Sequence, residues 1–80
     1  MNKKSLNDKK SNRFQKVATK RIDLILKTLH LLSNCSNRNS YEYEEKDIKK
    51  MFSVIKDQLR IAESLYSDQI NKMNKKNFKF

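Results

Sequence analysis

The 80-residue sequence contains no glycine and no proline. Strand proteins usually need these residues for their tight turns, because glycine reaches left-handed backbone conformations and proline fixes φ. A chain that lacks both is suited to long helices with one irregular connection, in which Asn can occupy any left-handed position. The sequence therefore predicts an all-α fold.

Cysteine and histidine are also scarce, since Cys35 and His30 are the single representatives of their types. One cysteine excludes an internal disulfide, and there is no His/Cys cluster of the kind that binds a structural metal. A chain of this size buries only about 60–65% of its unfolded surface. We therefore expect its additional stability to come from self-association or from a partner.

Long apolar runs are absent as well. The most apolar stretch, residues 22–32, is interrupted by Asp23, Lys27 and His30, so it is too polar for a membrane span. The start of the chain is charged and leads into polar residues, unlike a signal peptide. We expect a cytoplasmic protein with a reduced cysteine and no membrane partner.

Positive charge is abundant and uneven, with a formal net charge of +10. Residues 1–13 carry five cations and one acid, and residues 72–80 carry four lysines and no acid, so the two ends hold +8 of this charge. The sequence has 15 Lys, 4 Arg and nine Asn, which is also the composition that an AT-rich genome produces at unconstrained positions. The basic ends are therefore explained either by an anionic partner or by composition alone.

Apolar residues recur every three or four positions along two segments, the pattern of amphipathic helices. The first segment predicts a helix over residues 13–33, after a disordered basic tail at 1–12. The second predicts a helix over 44–73, whose acidic first turn suits a helix N-terminus, followed by a basic tail at 74–80. The apolar stripe of the first is Phe14, Ala18, Ile22, Ile25, Leu29 and Leu32, and that of the second is Ile48, Phe52, Ile55, Leu59, Ala62, Tyr66, Ile70 and Met73.

Two helices joined by a polar connector at 34–43 pack most simply as an antiparallel helical hairpin. Each helix has a second apolar ridge that one such contact does not use. These ridges predict either that two hairpins pair into a four-helix bundle or that another protein binds there. They are Val17, Leu24 and Leu31 in the first helix, and Val54, Ile61 and Leu65 in the second.

The segment 20–52 resembles a group of short uncharacterised bacterial proteins encoded by plasmids, phages and integrated elements. The residues that carry the resemblance lie in and after the connector, and they are Asn34, Ser36, Asn37, Arg38, Tyr41, Tyr43, Asp47, Ile48 and Phe52. The chain differs in having Cys35 where the group has Leu, and Glu44 where it has a Thr or Ser cap. The resemblance implies a helical hairpin from a mobile element and implies no particular activity.

Residues suited to catalysis or cofactor binding are few. His30 has no plausible nucleophile beside it, because Cys35 lies beyond the helix end and lacks an orienting third group. The acids around residue 44 lack the spacing of a calcium loop and suit helix capping better. No glycine-rich phosphate loop is present. We therefore predict a non-enzymatic protein without a cofactor, a metal or a small-molecule substrate.

Cations on one side of the first helix favour contact with nucleic acid, because phosphate binding needs closely spaced positive charges. In the connector, an arginine and two tyrosines could stack on unpaired bases. The alternative is that the tyrosines pack over the end of the hairpin and Arg38 pairs with an acid. The predicted nucleic-acid-binding residues are Arg13, Lys16, Lys20, Lys27, Arg38, Tyr41 and Tyr43.

The sequence therefore predicts a small basic accessory protein that contacts RNA, DNA or a nucleoprotein complex mainly through phosphates. Two other functions remain open. One is a phage- or plasmid-encoded inhibitor or adaptor, for example an anti-CRISPR protein, that binds a host machine through the second ridges. The other is a purely structural homodimer.

Overall fold

The computed structural model describes residues 6–76, and the side chains of residues 8–74. It contains two helices, α1 at Leu6–Asn34 and α2 at Glu45–Lys76, and no strand within residues 6–76. The predicted all-α class with one connector is confirmed. The chain divides into two units between Glu42 and Tyr43, and each unit is described in turn.

The first helix begins seven residues earlier than the sequence pattern predicts, at Leu6 and not at Arg13. The prediction of disorder is therefore wrong for residues 6–12, and residues 1–5 lie outside the described part. Two lysines here have good helix propensity, and no glycine or proline interrupts the segment. Asp8, in the first turn, suits the positive end of the helix dipole.

Hydroxyl groups along α1 bond to the helix itself. The side chains of Thr19, Thr28 and Ser33 donate to the carbonyl oxygens four residues earlier, at 2.6, 2.7 and 3.0 Å. Bonds of this kind satisfy the hydroxyl locally. These three groups therefore need no partner from outside the helix.

The first part of the connector closes the end of α1. The amides of Cys35, Ser36 and Asn37 donate to carbonyls three residues earlier, at 3.0, 3.0 and 3.3 Å. This tighter pattern is a common way to satisfy the last carbonyls of a helix.

Asn37 then organises a separate turn. Its side-chain Oδ1 accepts the amide of Asn39 at 3.0 Å, and its carbonyl accepts the amides of Ser40 and Tyr41 at 3.1 and 3.0 Å. No residue of the described chain has a positive φ. Asn therefore contributes here by hydrogen bonding to the backbone, and not by occupying a left-handed position.

The second helix is capped at its start. Glu44 precedes the helix, and its amide donates to Asp47 Oδ2 at 2.9 Å, while its carbonyl accepts the amides of Asp47 and Ile48 at 3.0 and 3.3 Å. This is one half of a capping box. The predicted start at Glu44 differs from the observed one by a single residue. The helix ends three residues beyond the predicted Met73, at Lys76, and residues 77–80 lie outside the described part.

Both apolar stripes are largely open to solvent. No described side chain is buried, and the stripe residues Ala18, Leu32, Ile48 and Ile55 are half-buried. The antiparallel contact and the pairing into a four-helix bundle stay predictions. Within the described residues, neither helix is both long and apolar enough to span a membrane.

Candidate nucleic-acid interface

The cations predicted for phosphate contact form one line along α1. At about 100° per residue they fall within an arc of roughly 60° on the helix surface. Because α1 begins at Leu6, Lys9 joins the same line, whereas Lys10 lies about 100° away from it. The α1 strip, as we call it, consists of Lys9, Arg13, Lys16, Lys20 and Lys27.

The charges of the α1 strip are not neutralised within the helix. All five residues are exposed, and within the described side chains none of them forms an ion pair. Ion pairs are found instead between residues 44 and 60. They join Lys46 to Glu44 at 3.4 Å, Lys49 to Glu45 at 3.3 Å, and Arg60 to Asp57.

The two helices therefore differ in charge. The α1 segment contains seven Lys or Arg and two acids, and α2 contains eight and five. Three acids of the second unit form ion pairs with its cations, whereas Asp23, which lies one turn from Lys20 and from Lys27, forms no ion pair with them. The α1 strip is thus one identifiable surface that attracts an anionic partner.

The dimensions of the α1 strip suit a phosphate backbone. From Lys9 to Lys27 the strip is about 27 Å long, at 1.5 Å per residue, with successive cations about 4.5 to 10.5 Å apart. Long flexible lysines adjust to phosphates without reading bases. The arrangement can therefore bind a backbone without reading the bases.

The connector residues are less uniform than the sequence pattern suggests. Tyr41 is exposed, with 52% of its surface accessible, and it follows the turn that Asn37 organises. Arg38 is exposed in the same turn. Tyr43 is half-buried and belongs to the second unit. Tyr41 is thus the aromatic better placed for stacking on a base.

The second ridge of α1 adjoins the strip instead of forming a separate face. Leu24 and Leu31 lie within about 20° of Arg13 around the helix, and Val17 lies within about 40°. Leu24 and Leu31 are 63% and 54% exposed. A partner that covers this ridge must therefore also meet the cations. The positions of these residues around a helix, at about 100° per residue, already imply this adjacency.

The second ridge of α2 is exposed too, with Val54, Ile61 and Leu65 between 52% and 61% accessible. A shallow depression runs along α2 at the edge of its apolar stripe and is open to solvent. Its lining residues are Ile48, Lys49, Phe52, Ser53, Lys56, Asp57 and Arg60.

Groups that could hold a metal or react chemically are dispersed. Among the described residues, no three His, Cys, Asp or Glu side chains lie close enough to bind a metal ion. Cys35 is exposed, and its Sγ donates a weak bond to the Leu31 carbonyl at 3.8 Å. His30 is exposed on α1.

Comparison with protein-family models, curated proteins and solved structures gave no match. The resemblance of residues 20–52 to short mobile-element proteins accordingly stays a prediction.

Proposed function

We propose that the chain is a small basic accessory protein, without enzymatic activity, that contacts nucleic acid or a nucleoprotein complex through phosphates. The α1 strip is the observation that carries this proposal. Five exposed cations occupy one side of one helix, and within the described side chains none of them forms an ion pair. This arrangement predicts affinity that is independent of sequence and sensitive to salt.

The strip favours a duplex over a single strand. Single-strand binders combine cations with several aromatic platforms among them, whereas the line of the α1 strip contains no aromatic residue, and Tyr41, 52% exposed, stands in a turn beyond the helix. A straight row of cations on a rigid helix matches the regular backbone of a duplex. The connector then contributes additional contact at a loop or an end.

Fluorescence anisotropy with unrelated duplex and single-stranded probes at low salt tests the proposal. The variant Lys16→Gln/Lys20→Gln/Lys27→Gln should weaken duplex binding at least tenfold, because three phosphate contacts are lost. The matched control Lys49→Gln/Lys50→Gln/Lys56→Gln removes the same charge from α2 and should have a much smaller effect. Equal losses in the two variants, or no binding by the wild type at low salt, would contradict the proposal.

A second candidate function is a protein-binding inhibitor or adaptor, such as an anti-CRISPR protein, and the exposed ridge on α2 favours it. Substitution Ile61→Glu places a charge on this ridge, far in sequence from the α1 strip. Loss of a co-purifying protein with unchanged duplex binding would support the adaptor function. Leu24→Glu is less selective, because Leu24 lies beside the cations of α1.

A further inference from the structure

One line along α2 combines apolar residues with an acid at one end and a base at the other. The residues are spaced by seven, seven, four and seven positions, and at about 100° per residue they share an arc of roughly 40°. The middle of the line is apolar, the first residue is an acid and the last is a base. The α2 line, as we call it, is Asp47, Val54, Ile61, Leu65 and Lys72.

The order of the four outer residues is complementary to its own reverse, and the fifth, Ile61, lies beside the midpoint. The midpoint between Asp47 and Lys72 falls between Leu59 and Arg60, and so does the midpoint between Val54 and Leu65. A second helix that runs antiparallel about this point places each Asp47 against Lys72 of the other copy, and each Val54 against Leu65. A parallel, in-register arrangement would instead place acid against acid and base against base.

We propose that the α2 line is the contact surface for a second copy of this chain, related by a two-fold axis near Leu59. The charges favour this occupant. The α1 strip carries one sign only and repels another copy, whereas residues 45–74 of α2 contain six cations and five acids. Such isologous contacts use the same surface on both copies.

The side chains of the line are available for this contact. Val54, Ile61 and Leu65 are each more than half exposed, and Lys72 forms no ion pair within the described side chains. Asp47 receives the Glu44 amide on Oδ2, which leaves its other carboxylate oxygen for a lysine. The contact does not involve phosphate binding, so its test is independent of the test of the proposed function.

Disulfide cross-linking tests both the contact and its direction. In a Cys35→Ser background, we expect Val54→Cys protein mixed with Leu65→Cys protein to form a cross-linked heterodimer on mild oxidation. Val54→Cys alone should stay uncross-linked, because eleven residues, about 16 Å, separate its two copies in the antiparallel arrangement. Cross-linking of Val54→Cys with itself, or no cross-linking of the mixture, would overturn the proposal.

A charge reversal tests the ends of the line. Lys72→Glu should raise the dimer dissociation constant about fivefold in sedimentation equilibrium, since two symmetric ion pairs become repulsive. Lys56→Glu removes the same charge from the opposite side of α2 and serves as the control. It should leave the constant unchanged or lower it, because it reduces the net charge of each copy. Equal effects of the two substitutions, or a monomeric wild type throughout, would rule the contact out.

Discussion

At the residue scale, the start of α2 depends on Asp47 more than on the residue in the cap position. Glu44 occupies the position that Ser, Thr, Asp or Asn fill best, and its side chain pairs with Lys46 on the surface. Asp47 compensates by accepting the Glu44 amide. The amide of Asp47 donates to the Glu44 carbonyl and not to a side chain, so the second half of the capping box is missing.

Replacement of Glu44 by serine should complete the capping box. The serine hydroxyl can accept the Asp47 amide while Asp47 keeps its bond to residue 44. We expect Glu44→Ser to stabilise the helical state by about 1 kcal/mol, measured by thermal unfolding with circular dichroism. Glu42→Ser, two residues upstream of the cap, is the control and should change little. A Glu44→Ser variant that melts no higher than this control would contradict the capping role.

Asn37 supplies a second local prediction. Its side chain accepts the Asn39 amide, so Asn37→Ala should speed amide exchange of residues 39–41 in the connector. Asn39→Ala is the matched control, because Asn39 takes part through its backbone. Hydrogen exchange monitored by nuclear magnetic resonance distinguishes the two. Equal exchange rates in both variants would show that the Asn37 side chain does not hold the turn.

At the scale of the elements, periodicity predicted both helices but misplaced the first boundary. Residues 6–12 lack the apolar repeat on which the prediction depended, so they were predicted as a tail. Nothing in them stops a helix, and propensity extends α1 back to Leu6. The start of α2 was predicted within one residue, because acids and a capping partner mark it.

The candidate site, like the helices, could be predicted only in part from the sequence. The cations from Arg13 to Lys27 could be recognised from their spacing alone. Lys9 could not be assigned to the same line before the helix was known to include it. The half-buried position of Tyr43 depends on its local environment, which spacing in the sequence does not report.

A proline at the start of α1 tests the longer helix. Asn12→Pro removes a backbone hydrogen bond and disfavours helix in the preceding residues. We expect the carbon chemical shifts of residues 6–11, measured by nuclear magnetic resonance, to lose their helical values, so that Lys9 no longer lies in the strip. The control Asn12→Ala should keep the helical shifts and the position of Lys9. Unchanged shifts in the proline variant would indicate that the segment is frayed in solution.

At the scale of the whole molecule, exposed apolar surface is the dominant feature. No described side chain is buried, and a large apolar surface of this kind usually marks a contact site. Stability should then depend on association. We expect the thermal midpoint to fall when the protein is diluted about a hundredfold, as measured by circular dichroism. A midpoint independent of concentration would show that the chain is stabilised without other copies.

Charge gives the two helices different roles. The α1 strip attracts anions, while residues 45–74 of α2 nearly balance their charges and include the line that we propose as the contact with a second copy. In a dimer built through α2, two α1 strips belong to one particle. Duplex binding should therefore become tighter at protein concentrations that favour the dimer, because the two strips of one dimer can bind the same duplex at the same time.

The dependence of duplex affinity on salt tests the central claim most directly. If all five cations of the α1 strip engage phosphates, log K should fall with log salt with a slope of about −4.5 per chain. Lys16→Gln/Lys20→Gln/Lys27→Gln should reduce the slope to about −1.8, and the α2 control with three substitutions should keep the wild-type value. A slope near zero for the wild type, or the same slope in both variants, would contradict phosphate binding by α1.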